Sequence, residues 1–172
     1  MRKYIFMLIV ISCLTACTVG GSDDSEYGEG LLPAGTPAPD FTISDGTSGG
    51  TATLGGMRGS YVLLEFWASW CPDCRSVTTA VKSFHDTFAP RGLVMVGVSF
   101  DDDAGQWLTY IADNGMDWIQ HREEKPWRES AVATAYSIRW IPTFYLIAPD
   151  GTVDFATVDA SEMSDTLAVR LP

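Results

Sequence analysis

The sequence predicts an α/β fold in which a central mixed β-sheet is flanked by helices on both faces, and three observations carry that expectation. Tyr61 to Trp67 is an almost unbroken apolar run of strand length, the pattern of a strand covered on both sides. Beyond it Val77, Val81, Phe84 and Phe88 recur at helical spacing. Further strand-like and helix-like stretches then alternate, until two strands close around Pro149-Asp150-Gly151 as an antiparallel pair.

Taken in order, Gly35 to Asp40 is a Pro- and Ala-rich opening. Phe41-Thr42-Ile43 and Thr51-Ala52-Thr53-Leu54, on either side of the glycine-rich stretch from Asp45 to Gly50, predict an N-terminal β-hairpin. The run ending at Trp67 is placed at the centre of the sheet. The helix after it stops at Pro90 and Gly92, where the chain can no longer continue helically. Leu93 to Phe100 reads as a second buried strand, and Ala104 to Asn114 as a helix closed by Gly115. Ala131 to Tyr136 is a short helix, Thr143 to Ile147 and Val153 to Val158 are the terminal strands, and Glu162 to Arg170 is a last helix.

The first residues follow a different logic. Arg2 and Lys3 precede an apolar run from Tyr4 to Leu14, which is too short for the ~20 residues that span a bilayer and is followed by small residues. That is the form of an export signal. Leu14-Thr15-Ala16-Cys17 resembles the lipobox of bacterial lipoproteins, so residues 1–16 are expected to be cleaved and Cys17 to carry lipid. Thr18 to Gly30 is dominated by Gly, Ser, Asp and Glu, the composition of a flexible tether. The expected organisation is therefore signal peptide 1–16, lipidated Cys17 and tether 17–32, and one domain over 33–172. The expected location is the bacterial cell envelope, with the anchor at the periplasmic side or the cell surface.

A formal charge of −11 excludes the basic footprint that a nucleic-acid partner requires and reads as a solvated acidic surface. Apolar residues make up 46% of the chain, enough for a packed core in one domain, and the protein is expected to be monomeric. Of the four cysteines, Cys13 leaves with the signal and Cys17 is lipidated, so Cys71 and Cys74 have no thiol partner but each other.

A Cys-x-x-Cys pair alone serves metal binding and thiol exchange equally well. Here a strand runs straight into Trp70-Cys71-Pro72-Asp73-Cys74 and a helix begins there, with Pro72 at the first helical position, where a missing N–H costs nothing. Unpaired N–H groups and the positive end of the helix dipole favour an anion at Cys71, which makes it the expected nucleophile. Cys74, one turn further in and more buried, is the expected resolving thiol. The pair would attack a substrate disulfide, form a mixed disulfide and release the reduced substrate, with no cofactor beyond its own redox-active disulfide.

Glu65-Phe66-Trp67-Ala68-Ser69-Trp70-Cys71-Pro72-Asp73-Cys74 resembles the active-site strand and loop of thioredoxins. Tyr136-Ser137-Ile138-Arg139-Trp140-Ile141-Pro142-Thr143 resembles the segment that carries their cis-proline. The resemblance implies a thioredoxin-like fold, with Ile141 and Pro142 holding extended substrate backbone beside the dithiol. The Ala38-Pro39-Asp40-Phe41 hairpin and an extra strand–helix insertion between Cys74 and Pro142 are similar to the TlpA/ResA type of membrane-tethered thioredoxins. That type implies protein disulfide substrates such as apocytochrome c or misoxidised exported proteins, and a membrane thiol-reductant as electron donor.

Glu65 stands where thioredoxins carry a buried acid beneath the dithiol. The resemblance implies a base of raised pKa that relays the proton of Cys74; an exposed acid, or one paired with a basic residue, is the plain alternative. The chain departs from the family at Pro72-Asp73, where proline usually directly precedes the second cysteine, and at Trp140, where glycine is common. Asp73 opposes a thiolate at Cys71 by like charge and Arg75 favours it, so the direction of exchange is open. Trp70, Pro72, Asp73 and Trp140 are expected to line the substrate groove.

Three other readings are weaker. A zinc site would need His85 and His121, whose spacing does not suit it, so no metal is expected. A thiol peroxidase would carry threonine three positions before its cysteine, where this chain has Ala68. A non-enzymatic lipid-anchored scaffold would not need two cysteines at a helix start.

Overall fold

The computed structural model describes residues 27–172; the expected signal peptide, Cys17 and the first part of the expected tether lie outside the described residues. A small antiparallel sheet, β1 (Thr42–Ser44) and β2 (Thr51–Thr53), is the predicted hairpin. The main sheet contains β3 (Val62–Trp67), β4 (Val94–Ser99), β5 (Ile119–Arg122), β6 (Thr143–Ile147) and β7 (Val153–Thr157), in the order β5-β4-β3-β6-β7. β3 is parallel to β4 and antiparallel to β6, so the sheet is mixed and the apolar run sits at its centre, as its composition requires.

The helices are α1 (Pro72–Phe88), α2 (Ala104–Asn114), α3 (Ala131–Ala135) and α4 (Ala160–Arg170). α1 and α4 pack together on one face of the sheet. α2 joins α1 there through a 2.7 Å hydrogen bond between Thr78 and Tyr110 and through Lys82, whose Nζ donates to the Gly115 carbonyl at 3.1 Å. α3 covers the other face, where the Tyr136 ring lies 5.3 Å from Phe66 and 6.1 Å from Phe41. α2 and β5 form the insertion between β4 and α3. Gly115 ends α2 in the left-handed region (φ 58°), accepting there what a side-chain residue resists.

Both edges of the sheet are closed by the N-terminal segment. Along β7, Gly35 N–H donates to Val153 and Val153 N–H to Thr36, each at 2.8 Å. Along β5, Gly46 N–H donates to Gln120 at 2.9 Å and Ser44 N–H to His121 Nδ1 at 3.1 Å. The hairpin thus blocks an edge that would otherwise pair with another chain.

Two features differ from the sequence expectation. β5 is not legible as a strand, because Ile119-Gln120-His121-Arg122 is short and polar, yet Gln120 and His121 are buried in it. Residues 27–32, read as the end of the tether, are packed against the domain. Leu31 and Leu32 lie on the core, and Leu32 N–H donates to the Tyr145 hydroxyl at 3.0 Å. Among the described residues, packing on the domain thus includes Leu31 and Leu32, before the expected start at 33.

Candidate active site

β3 delivers the loop Ala68-Ser69-Trp70-Cys71 to the start of α1. Cys71 is the N-cap of that helix with extended backbone (φ −80°, ψ 118°), and Pro72 is its first residue. Cys74 N–H donates to Cys71 Sγ at 3.2 Å, so one of the unpaired amides of the helix start is aimed at the sulfur. The two sulfurs are free thiols 2.7 Å apart. Cys71 is 5% exposed and Cys74 2%; Trp70 and Pro72, on either side of Cys71, face solvent.

Across from the dithiol, the Ile141-Pro142 peptide is cis, and the Ile141 carbonyl lies 3.5 Å from Cys71 Sγ. The two predicted motifs, 70 residues apart in sequence, meet here. Trp140 is half-buried beside them, with its carbonyl accepting from the Thr143 hydroxyl at 2.7 Å. Asp73 is exposed in the first turn of α1. Arg75 does not turn toward Cys71: its guanidinium lies over the Tyr110 ring, 5.8 Å from the centroid.

Glu65 is 3% exposed on the α1 face of β3 and has no basic partner among the described residues, so the plain alternative of a solvated or paired acid does not hold there. Desolvation pushes its carboxyl up to about 8. Burial also pushes the Cys74 thiol up, followed by its contact with Cys71 and by the charge of Glu65. Cys74 is thus held as a thiol next to a carboxyl that titrates close to neutrality.

Two residues that sequence reasoning did not single out support the site. Asp101, buried at the end of β4, accepts from the Ser69 amide at 3.0 Å and from the Ser69 and Ser99 hydroxyls, pinning the loop that carries Cys71. Its only sequence signal is its place as the first acid of Asp101-Asp102-Asp103, directly after a buried strand. Tyr27 lies against Trp140 edge to face, ring centroids 5.8 Å apart. Burial and the nearby Asp73, Cys74 and Cys71 push its hydroxyl up, which marks how close the N-terminal segment comes to the dithiol. Nothing in a Gly- and Glu-rich stretch signals that contact.

The sequence profile of the thioredoxin-like family matches residues 59–153, more than half of the chain and the span from β3 to the start of β7. The chain belongs to the thioredoxin-like family. Among its relatives is a thiol-disulfide oxidoreductase ResA of Oceanobacillus iheyensis, 26% identical over 89% of this chain and 77% of the relative. Among solved structures, the thioredoxin domain of a thiol-disulfide oxidoreductase from Bacteroides vulgatus is similar with a TM-score of 0.73 and 25% identity, covering 82% of this chain and 99% of that one. A putative thiol:disulfide interchange protein DsbE from Chlorobium tepidum is similar at 0.72 and 25%, with the same coverage. The thioredoxin-like chain is a thiol-disulfide oxidoreductase of the ResA/DsbE type, and Glu65, the dithiol and the cis-proline all fall within the matched span.

Proposed function

We propose that the protein is an extracytoplasmic reductase of protein disulfides, anchored as a monomer to the cell envelope through lipid on Cys17 and working through Cys71 and Cys74. The observation that carries the reading is the dithiol at the start of α1, with its sulfurs 2.7 Å apart and facing the cis Ile141-Pro142 peptide. The Cys71 thiolate attacks a substrate disulfide and expels one substrate thiolate; Cys74 then attacks Cys71 Sγ, expels the second, and leaves a Cys71–Cys74 disulfide. Glu65 takes the proton of Cys74 during resolution. Trp70, Pro72, Asp73, Trp140 and the Ile141 backbone form the surface against which the substrate chain lies.

The reducing direction is supported by charge. Strong oxidants stabilise their reduced form. Here Asp73 lies between the two cysteines in the first turn of α1, while Arg75, the nearest cation in sequence, is turned onto Tyr110. The export signal and lipobox support exported substrates, apocytochrome c among them, and a membrane thiol-reductant that restores the dithiol. No further cofactor takes part. The test is the reduction potential of the Cys71–Cys74 pair alongside insulin reduction. A potential on the order of −250 mV or lower, with insulin reduction lost in Cys71→Ser, is expected; a value above about −150 mV would make the protein an oxidase or isomerase.

A further inference from the structure

The sheet face behind Cys74 carries a cluster of polar atoms that no group among the described residues satisfies. Glu65 on β3, Gly97 on β4 and Gln120 on β5 stand in one transverse row of the sheet, and Trp67 is two residues along from Glu65 on the same face. Gln120 is fully buried, and both its amide atoms, together with Glu65 Oε2 and Trp67 Nε1, are buried without a hydrogen-bond partner among the described residues. Each such group carries its full desolvation penalty if left alone.

Gly97 is what brings them together. A Cβ at Gly97 would collide with Gln120 Oε1 and fall 2.9 Å from Trp67 Nε1, so the Gln120 amide and the indole N–H converge over this glycine. Strand spacing of about 4.8 Å puts the Glu65 and Gln120 backbones two spacings apart, with no side chain between them. The side chains of Glu65 and Gln120 reach inward from either side of that gap, and both end in polar atoms that lack a hydrogen-bond partner among the described residues.

We propose that Glu65, Gln120 and Trp67 together hold a buried water molecule over Gly97, and that Gln120, supplied by the inserted strand, is the positioning residue of the proton path beneath the dithiol. Buried water makes about three hydrogen bonds to groups of this kind. An amide offers both an acceptor and donors, so through the water it serves a carboxylic acid, which donates, and a carboxylate, which only accepts. The indole supplies a fixed donor. During resolution the Cys74 proton passes to the Glu65 carboxylate as the Cys74 sulfur bonds to Cys71 Sγ and the substrate thiolate leaves; the bridge stabilises the carboxylate before that step.

The groups that face Glu65 leave little else to do this. α1 presents Cys71, Cys74 and, at its far end, His85, which lies against Trp118. α2 presents Tyr110, against Trp67, while α4 presents Met163 and Leu167. β4, β5 and β6 present Gly97, Gln120 and Phe144, none of them ionisable.

The inference rests on the reading of Glu65 as the proton acceptor, and the experiment keeps the two apart. In the folded chain, Gln120→Met retains length and removes the hydrogen bonds. Its Glu65 carboxyl, followed by carbon-13 NMR, is expected to titrate about one unit higher, and resolution by Cys74 at pH 7 to slow about tenfold, with attack by Cys71 unchanged. In a Glu65→Gln background, Gln120→Met is expected to add no further change to the pH profile. A high-resolution crystal structure should show water within hydrogen-bonding distance of Glu65 and Gln120. An unmoved Glu65 titration, or a dry gap with Gln120 bonded elsewhere, overturns the proposal. If Glu65→Gln itself resolves like the parent, the proton-acceptor reading fails instead, and the NMR titration still reports on Gln120.

Discussion

Two sulfurs 2.7 Å apart occupy unlike regions of the molecule. Cys71 sits at the mouth, capping α1, receiving the Cys74 amide and lying opposite the Ile141 carbonyl. Cys74 faces inward, toward Glu65 and the interior of the sheet. In the proposed mechanism the first attacks, while the second, a thiol held protonated by burial, resolves once Glu65 accepts its proton. One short motif thus sets its two thiols in unlike surroundings.

The largest break in that comparison is removal of either sulfur. Cys71→Ser should abolish insulin reduction to background, while Cys74→Ser should still attack and accumulate a mixed disulfide detectable by intact-mass spectrometry. Equal loss without a trapped species would remove the distinction between the two thiols.

Glu65→Gln probes the inner region through stability. The native carboxyl keeps its proton up to about pH 8, while the unfolded chain releases it near 4.5. Between those values the folded state binds more protons, so the parent loses stability as pH rises through this window. Urea denaturation should show the variant gaining roughly 2–4 kcal/mol on the parent between pH 4 and pH 9. A constant difference across that range would place the titration elsewhere.

Asp101→Ala sharpens the account of the mouth. Loss of the bonds to Ser69 and Ser99 should cost about 2–4 kcal/mol in urea denaturation and slow attack by Cys71 more than resolution by Cys74. The smallest effect is expected at the rim. Tyr27→Ala should cost about 1 kcal/mol, the worth of an edge-to-face pair, and alter the KM for a peptide disulfide more than kcat.

What was legible in the sequence divides along the same line. Apolar runs and helical spacing gave the central strand, α1 and α2, because burial on both faces leaves little choice of residue. Cys71, Cys74 and Pro142 stood out through motifs, and Glu65 through a charge in an apolar run. β5 was hidden because its buried positions are Gln120 and His121, which periodicity counts as polar. Asp101 was lost among three acids, and Tyr27 in a segment whose few apolar residues dock on the domain. Each of these depends on a contact between distant segments, which local pattern does not record.

The most direct test of the account is the pH dependence of mixed-disulfide resolution in the parent and in Glu65→Gln, measured with a single trapped substrate. The parent should show a rise with an inflection near pH 8, and the variant should lose that inflection and resolve about ten to a hundredfold more slowly at neutral pH. The same inflection in both proteins, at the same rate, would contradict it.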